Sequence, residues 1–553
     1  MEPVTQPPTM SNLTPIASPR NGWRDACIWL VQAFLFGLVL TQPWFYFSNQ
    51  HQYYLHGLAL ANVGQLSEDW LANTADPTPI FSRLLAGIVT VFGTTALQLP
   101  FILLAGLYLS RLQALFTRMT GWSRYSQGGI VFTSLIVITH SGAIRRLSAT
   151  LFGIDFPWYL QSGVAGQYIL GAGWQPSTFG TFLLAAVVSA MEGRRRIAAL
   201  WIGLGCTLHA TYLLPGAMLV LGMLVVDWRE RGLRSAAILG CLSLASVLPV
   251  IGIAWSTIAP SSPETFAEAQ DIIARTRIPH HAQMTVWLNK IAWGQIVWMG
   301  LGIAALWGTR WFPLLAVPGA IGFGLSVWQG ITDSNGLALL FPWRISILLM
   351  PLATAILLTK MLQLILAHPW ARHISRPGII TGTMIMVIFA GLGIWLVATG
   401  RSYREVPEEK PLLRWILEHR QPGQIYLVPL AIPQPSMERR GVVSTSFTPA
   451  PRAKPGQPLI PVDLQAFRLE CEVPIYIDYK SIPYRDVEVL EWYSRLMWVD
   501  AAYKEPDWVA TGIAEEVKRR GITHVVAPSN LVPQVPNWET AYSDLYYTIL
   551  LVK

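Results

Sequence analysis

The sequence predicts a mostly α-helical, polytopic membrane protein that ends in a smaller α/β domain. Three observations carry this. Of 553 residues, 52% are hydrophobic and 13% charged, with a mean hydropathy of +0.40, whereas soluble chains carry about a quarter charged residues. Apolar runs of bilayer length alternate with short basic clusters up to residue 399. Beyond residue 400 charges return and period-two runs appear. This balance excludes a wholly soluble enzyme, a disordered chain and a disulfide-built secreted scaffold. The four cysteines are scattered and form neither a metal spacing nor a disulfide framework.

Lys and Arg outnumber Asp and Glu by 22 to 13 in residues 1–399, against 18 to 19 in residues 400–553. The basic excess thus belongs to the membrane part, where cations anchor cytoplasmic loops. No nucleic-acid module is present, and no nucleic-acid partner is expected. Membrane lipids are.

Residues 1–22 are polar and proline-rich and read as a disordered cytoplasmic tail. The first apolar run, from Cys27 past Phe45, is long enough to span. Further spans are expected near 97–116, 127–141, 175–192, 197–209, 211–227, 235–258, 287–308, 312–329, 341–366 and 378–399, about eleven in all. The basic groups Arg111/Arg118/Arg124, Arg194–Arg196, Arg229/Arg231/Arg234 and Lys360/Arg372/Arg376 fall in loops that an N-inside start makes cytoplasmic. An odd number of spans then leaves the C-terminal domain outside. The expected division is a tail at 1–22, a membrane domain at 23–399 and an extracytoplasmic α/β domain at 400–553.

In that last domain, strand patterns at 424–430, 473–479, 522–528 and 545–552 alternate with helical patterns at 411–420, 484–498 and 507–520. A Pro-rich loop at 431–461 interrupts them. Asp478, Lys480, Tyr484, Arg485 and Asp486 crowd one strand-to-helix turn. Such a turn is ordinarily a solvated edge with weak local ion pairs.

The first external loop, 48–95, is the most informative stretch. From Tyr53 to Leu66 apolar residues follow helical spacing, which predicts a short helix along the membrane surface. Glu68-Asp69-Trp70 breaks it, Asp76-Pro77-Thr78-Pro79 follows, and a second apolar helix starts at Ile80. The first helix, the segment HQYYLHGLALANVGQLSEDW, the DPTPIF turn and the helix after it resemble the polytopic GT-C glycosyltransferases. The likeness is to members that use polyprenyl-phosphate sugar donors, such as the aminoarabinose and mannosyl transferases. Asp69-Trp70 matches that family's Gly-Asp-Trp-like turn, and Asp76-Pro77-Thr78-Pro79 approximates its acidic-X-Pro-Pro motif. The whole chain also resembles bacterial membrane proteins of the same shape. The acidic residue that the family carries just after the first helix is replaced here by Asn49, Gln50 and His51.

The resemblance implies a GT-C-like bundle in the bacterial plasma membrane and transfer of a sugar from a polyprenyl-phosphate carrier to an envelope glycan, lipid or protein. Such a reaction needs a carboxylate to take the acceptor's proton or to hold a metal, and cations to stabilise the departing phosphate. Asp76 is the first candidate for the acid–base or metal role and Asp69 the second. His51 is a proton acceptor in place of the missing acid. Either aspartate also reads as an ordinary turn or helix cap. One or two carboxylates make a weak hard-cation site, so a divalent metal stays open as a cofactor.

Arginines on the outer face run against the positive-inside bias and suit phosphate recognition. Arg145, Arg277 and Arg344 qualify, with His280 and His281 following Arg277, and His56 on the surface helix joins the candidates. Their rival occupation is with lipid headgroups or local carboxylates. Two other function classes stay open: a transporter or flippase for a lipid-linked or anionic substrate, and a non-catalytic envelope scaffold.

Overall fold

The computed structural model describes residues 22–43, 45–47, 49–367, 378–401, 407–430, 432 and 466–553. Residues 1–21 of the expected tail, most of the Pro-rich loop at 431–461, and Arg372 and Arg376 lie outside them.

Each of the eleven expected apolar segments is a helix. Among the described residues seven helices are long and apolar enough to cross a membrane, or eight if Gln127–His140 and Gly142–Phe152 form one bent span. The other three, Gly180–Met191, Arg195–Leu208 and Lys290–Ala304, hold 12, 14 and 15 residues. At ~1.5 Å per residue each covers less than the ~30 Å of a hydrocarbon core. The 52° bend arises where the Ser141 hydroxyl accepts the N–H groups of Ala143 and Ile144 and so starts a new helix. Gly142 permits the bend, because a Cβ there would lie 1.9 Å from Thr41 Oγ1.

The surface helix, Gln50–Leu60, differs from expectation. It is buried on nearly every side, including Gln50, His51, Gln52 and His56. One face packs on Pro79–Phe92, and Gln50 and Tyr54 reach the carbonyl of Trp174. Gln52 and His51 are covered by the C-terminal domain, at Ile482 and beside Lys480 and Arg468, which a local hydrophobic pattern does not register.

That domain carries a four-stranded sheet in the order β1-β2-β4-β3, with β1 Tyr426–Leu427, β2 His524–Pro528, β3 Glu539–Ser543 and β4 Tyr547–Leu551. β1 runs parallel to β2, and the other pairs are antiparallel. Helices Lys410–His419, Asp486–Ala502 and Ile513–Arg519 match the expected three. The strand expected at 473–479 reduces to one bridge, Tyr426 to Ile475. Pro474 has no N–H, and the N–H of Ile475 donates to Asp69 Oδ2 at 3.0 Å instead of to a strand.

A hydrophobic cluster joins the two parts. Ala269 and Ile272, from a loop between membrane helices, pack with Trp492, Val489 and Leu427. Polar clasps tighten the seam. Gln52 both donates to and accepts from the backbone of Ile482, at 2.8 and 2.6 Å, and Glu488 accepts the N–H of Ala75. Asp486 accepts the N–H and hydroxyl of Ser261, both at 2.7 Å. Gly64, at φ +53°, lies so near Glu472 that a Cβ would meet its Cβ at 2.4 Å.

Candidate functional site

The charged turn after residue 477 is no solvated edge. Asp478 and Asp486 are buried, and the turn packs over Arg277, His280 and His281 of the membrane part, so that a cationic cluster, the chamber, lies between the C-terminal domain and the membrane helices. The physical reason lies in tertiary packing: Ser261 holds the Asp486 carboxylate and Arg468 that of Asp478, while Gln52 and Arg277 hold the backbone of the turn at Ile482 and Lys480.

Arg277 ends a π-helical segment, Ile272–Arg277, that Pro279 prevents from continuing. Its guanidinium donates through Nε and a terminal nitrogen to the carbonyl of Lys480 and lies 5.3 Å from the Tyr479 ring. The Tyr479 hydroxyl returns a 2.6 Å bond to the carbonyl of Thr276. His280 and His281 follow on the short helix Pro279–Ala282, ring centroids 4.1 Å apart. His281 Nδ1 lies 2.6 Å from the carbonyl of Ala165, which assigns the proton to Nδ1 and leaves Nε2 as an acceptor. His280 is exposed and lies close to Arg277 and Lys480.

Arg344 sits on the turn Pro342–Ile345. It donates to Gln167 Oε1 at 3.1 Å, His209 Nε2 at 2.9 Å and the Thr211 hydroxyl. Tyr53 stands edge-on to His209 at 6.0 Å and interacts with the Tyr484 hydroxyl. Lys480 closes the ring from the roof.

The electrostatics are one-sided. Among the described residues, no carboxylate lies within ion-pairing distance of Arg277, Arg344 or Lys480. Asp478, the acid nearest in sequence, is held by Arg468 at 2.8 Å. Burial pushes the Lys480 ammonium down to about 7, with Arg277 adding to the shift and Asp478 opposing it. Burial also lowers the Arg277 guanidinium. It lowers His281 and His51 to about 3 and His280 well below the usual range, with neighbouring cations reinforcing each. Buried positive charge without a counter-ion is costly unless an anion completes it.

Beside the chamber, between the membrane helices, lies an apolar cavity of about 320 Å³. Trp287, Trp343 and Leu349 line its inner wall, and Trp343 and Ile345 flank Arg344 in sequence. Its rim includes Trp293 and Phe323, each 52% exposed, so it opens on the flank of the bundle.

Of the residues singled out in the sequence, the chamber gathers Arg277, His280, His281 and Arg344. Asp76 is half-buried; its Oδ1 accepts the N–H of Thr78 at 2.8 Å, opening the helix Pro79–Phe92. Its other oxygen has no partner among the described residues. Asp69 is fully buried and occupied: it accepts the N–H groups of Leu71 and Ile475 and pairs with Arg468 at 2.8 Å. Arg468 thereby joins Asp69 to Asp478, tying the loop to the C-terminal domain. His51 is buried with Nδ1 unpartnered, and a ring held neutral down to about pH 3 accepts a hydroxyl proton poorly. His56 Nδ1 lies 3.2 Å from the carbonyl of Ala72. Arg145 stands apart, in a buried two-pronged pair with Asp155 at 2.8 and 2.6 Å under the Trp158 ring. Lys480, Tyr53 and His209 complete the chamber. The signal available for Lys480 was the density of charge at its turn. Among the described residues no three His, Cys, Asp or Glu side chains group as a metal site would need.

A family described as a domain of unknown function, DUF6798, matches residues 458–499, which include Arg468, Asp478, Lys480 and Asp486. No curated protein matches the chain. Among solved structures, the chain is similar to ArnT from Cupriavidus metallidurans bound to undecaprenyl phosphate, at 12% identity and TM-score 0.48, over 96% of this chain and 98% of that one. The apo form of the same protein gives 13% identity and TM-score 0.45, over 96% and 97%.

Proposed function

We propose that this protein moves a sugar from a polyprenyl-phosphate donor to a glycan, lipid or protein of the cell envelope, at the outer face of a bacterial plasma membrane. The observation that carries this reading is the adjacency of an uncompensated cationic chamber to an apolar cavity opening on the flank of the bundle. A phosphate headgroup on a long apolar tail satisfies both halves at once. In this reading the N-terminus is cytoplasmic and the C-terminal domain lies outside, in keeping with the basic clusters of the opposite loops.

Arg277 and Arg344 hold the donor phosphate, and His280 and His281 flank it with neutral rings. The acceptor hydroxyl attacks the anomeric carbon, and the bond from that carbon to the phosphate oxygen breaks. The electron pair stays on the phosphate, where the arginines stabilise it. The acceptor's proton passes to a carboxylate, and Asp76 is our candidate because one of its oxygens is uncommitted.

The test uses the full chain in nanodiscs with a synthetic polyprenyl-phosphate hexose and an envelope lipid extract. The expected result is release of polyprenyl phosphate with the sugar recovered on an acceptor. Arg344→Gln should weaken donor binding about tenfold or more. Asp76→Asn should keep binding and lose release. Donor binding indifferent to Arg344→Gln, with no bond cleavage, would overturn the reading. Passage of intact labelled lipid across the bilayer would favour a flippase in its place.

A further inference from the structure

We propose that Lys480, carried by the C-terminal domain, contacts the phosphate directly and completes its binding site, so that the donor is gripped between the two parts of the chain. This deepens the reading above and rests on it.

Four observations support the assignment. The side chain of Lys480 is half-buried, yet its ammonium has neither a hydrogen bond nor a carboxylate at ion-pair distance among the described residues. Its backbone, by contrast, is pinned on all sides. Arg277 holds its carbonyl, the Tyr479 hydroxyl reaches the carbonyl of Thr276, Asp478 accepts the N–H of Ser481, and Gln52 clasps Ile482. The turn is therefore a rigid mount for one free cation. The groups facing that cation are Arg277 from the π-helical segment, His280 and His281 from the helix after it, and His51 from the helix Gln50–Leu60. Asp478, on its own turn, is the one acid among them, and Arg468 already engages it. Among the described residues no protein anion pairs with Lys480, and a ligand anion would fit there. Finally, the lowered basicity of Lys480 leaves it mostly unprotonated at pH 8, and a bound phosphate anion would restore the proton, the monoester released by transfer more strongly than the singly charged donor diester.

The roof therefore does more than shield the chamber. Lys480 reaches the phosphate from the side opposite the membrane helices, and a point charge of this kind tolerates rotation of the phosphate as the bond to the sugar breaks.

The experiment is titration calorimetry of the full chain in uncharged phosphatidylcholine nanodiscs, with farnesyl phosphate as ligand and farnesol and inorganic phosphate as comparisons. Runs at pH 8 in buffers of different ionisation enthalpy give the proton count. Wild type should bind farnesyl phosphate well above farnesol and take up close to one proton. Lys480→Gln should weaken binding about tenfold and abolish the uptake. Lys480→Arg, which stays charged, should bind within about threefold of wild type without taking up a proton. Equal losses in both variants would mark a structural lysine and overturn the proposal. So would unchanged binding and proton uptake in Lys480→Gln. If Lys480→Gln is silent while Arg344→Gln loses binding, the glycosyltransferase reading survives and the Lys480 assignment fails. If wild type does not prefer farnesyl phosphate to farnesol, both fall. If inorganic phosphate binds as tightly as farnesyl phosphate, the Lys480 contact stands and the lipid donor is overturned.

Discussion

Removing the positive charge between Asp69 and Asp478 tests whether the loop's acidic turn is structural. Arg468 is 2% exposed and lies 2.8 Å from a carboxylate oxygen of each aspartate. Arg468→Met keeps most of the side-chain volume and leaves two carboxylates buried without their cation. Deleting one partner of a buried ion pair costs about 3–5 kcal/mol. Asp69 would keep the N–H groups of Leu71 and Ile475, and Asp478 that of Ser481. Such bonds retain about 1 kcal/mol each, so the expected loss is near the lower limit, ~3 kcal/mol. For a unit the size of the C-terminal domain this is ~6–12 °C in apparent melting temperature. Asp69→Asn should cost less than half as much, because Arg468 keeps Asp478 and the new amide oxygen still accepts an N–H. The assay is thermal unfolding of the detergent-solubilised full chain followed by tryptophan fluorescence, with proteolysis of the C-terminal domain as a second readout. An Arg468→Met midpoint within about 1 °C of wild type would refute the reasoning. So would an Asp69→Asn variant of wild-type stability that has lost transfer activity, since that result would return Asp69 to the chemistry.

Two other outcomes follow from the same geometry. Arg145→Lys loses the two-pronged contact with Asp155 and the stacking on Trp158, so the melting point should fall by the equivalent of about 1–3 kcal/mol while farnesyl phosphate affinity stays unchanged; loss of affinity at full stability would make Arg145 a ligand contact. Burial, reinforced by nearby cations, holds His51 and His281 at about 3, so between pH 6.5 and 3 the unfolded chain binds protons that the folded chain refuses. The stability these rings contribute is complete above pH 6.5 and is lost as the pH falls toward 3. The melting temperature should decline steadily from pH 7 to 4, and a flat profile in wild type would contradict the burial of both rings.

Much of the membrane part was legible because one physical demand dominates it. A backbone in hydrocarbon must bond to itself, so a run of apolar residues is enough to announce a helix. Eleven of the described helices were visible in this way, from Gly22–Leu40 to Gly378–Ala398. Length alone then separates the seven that can span from the short Gly180–Met191, Arg195–Leu208 and Lys290–Ala304. Arg277, His280, His281 and Arg344 were also accessible, because the basic clusters of the other loops make cations unexpected where these lie.

What only the tertiary structure decided is which charges have partners. Asp69 and Asp76 look alike in the sequence, seven residues apart in one polar loop. One is sealed under Arg468, 399 positions away, and the other keeps an oxygen free. Lys480 looks like one more surface charge at a crowded turn, and packing against Arg277 leaves it without an ion pair among the described residues. A helix or span follows from forces between residues a few positions apart. The cost of a charge depends on the dielectric and the counter-ions around it, and here those come from segments hundreds of residues away, so the chamber exists only once the C-terminal domain has closed over the bundle.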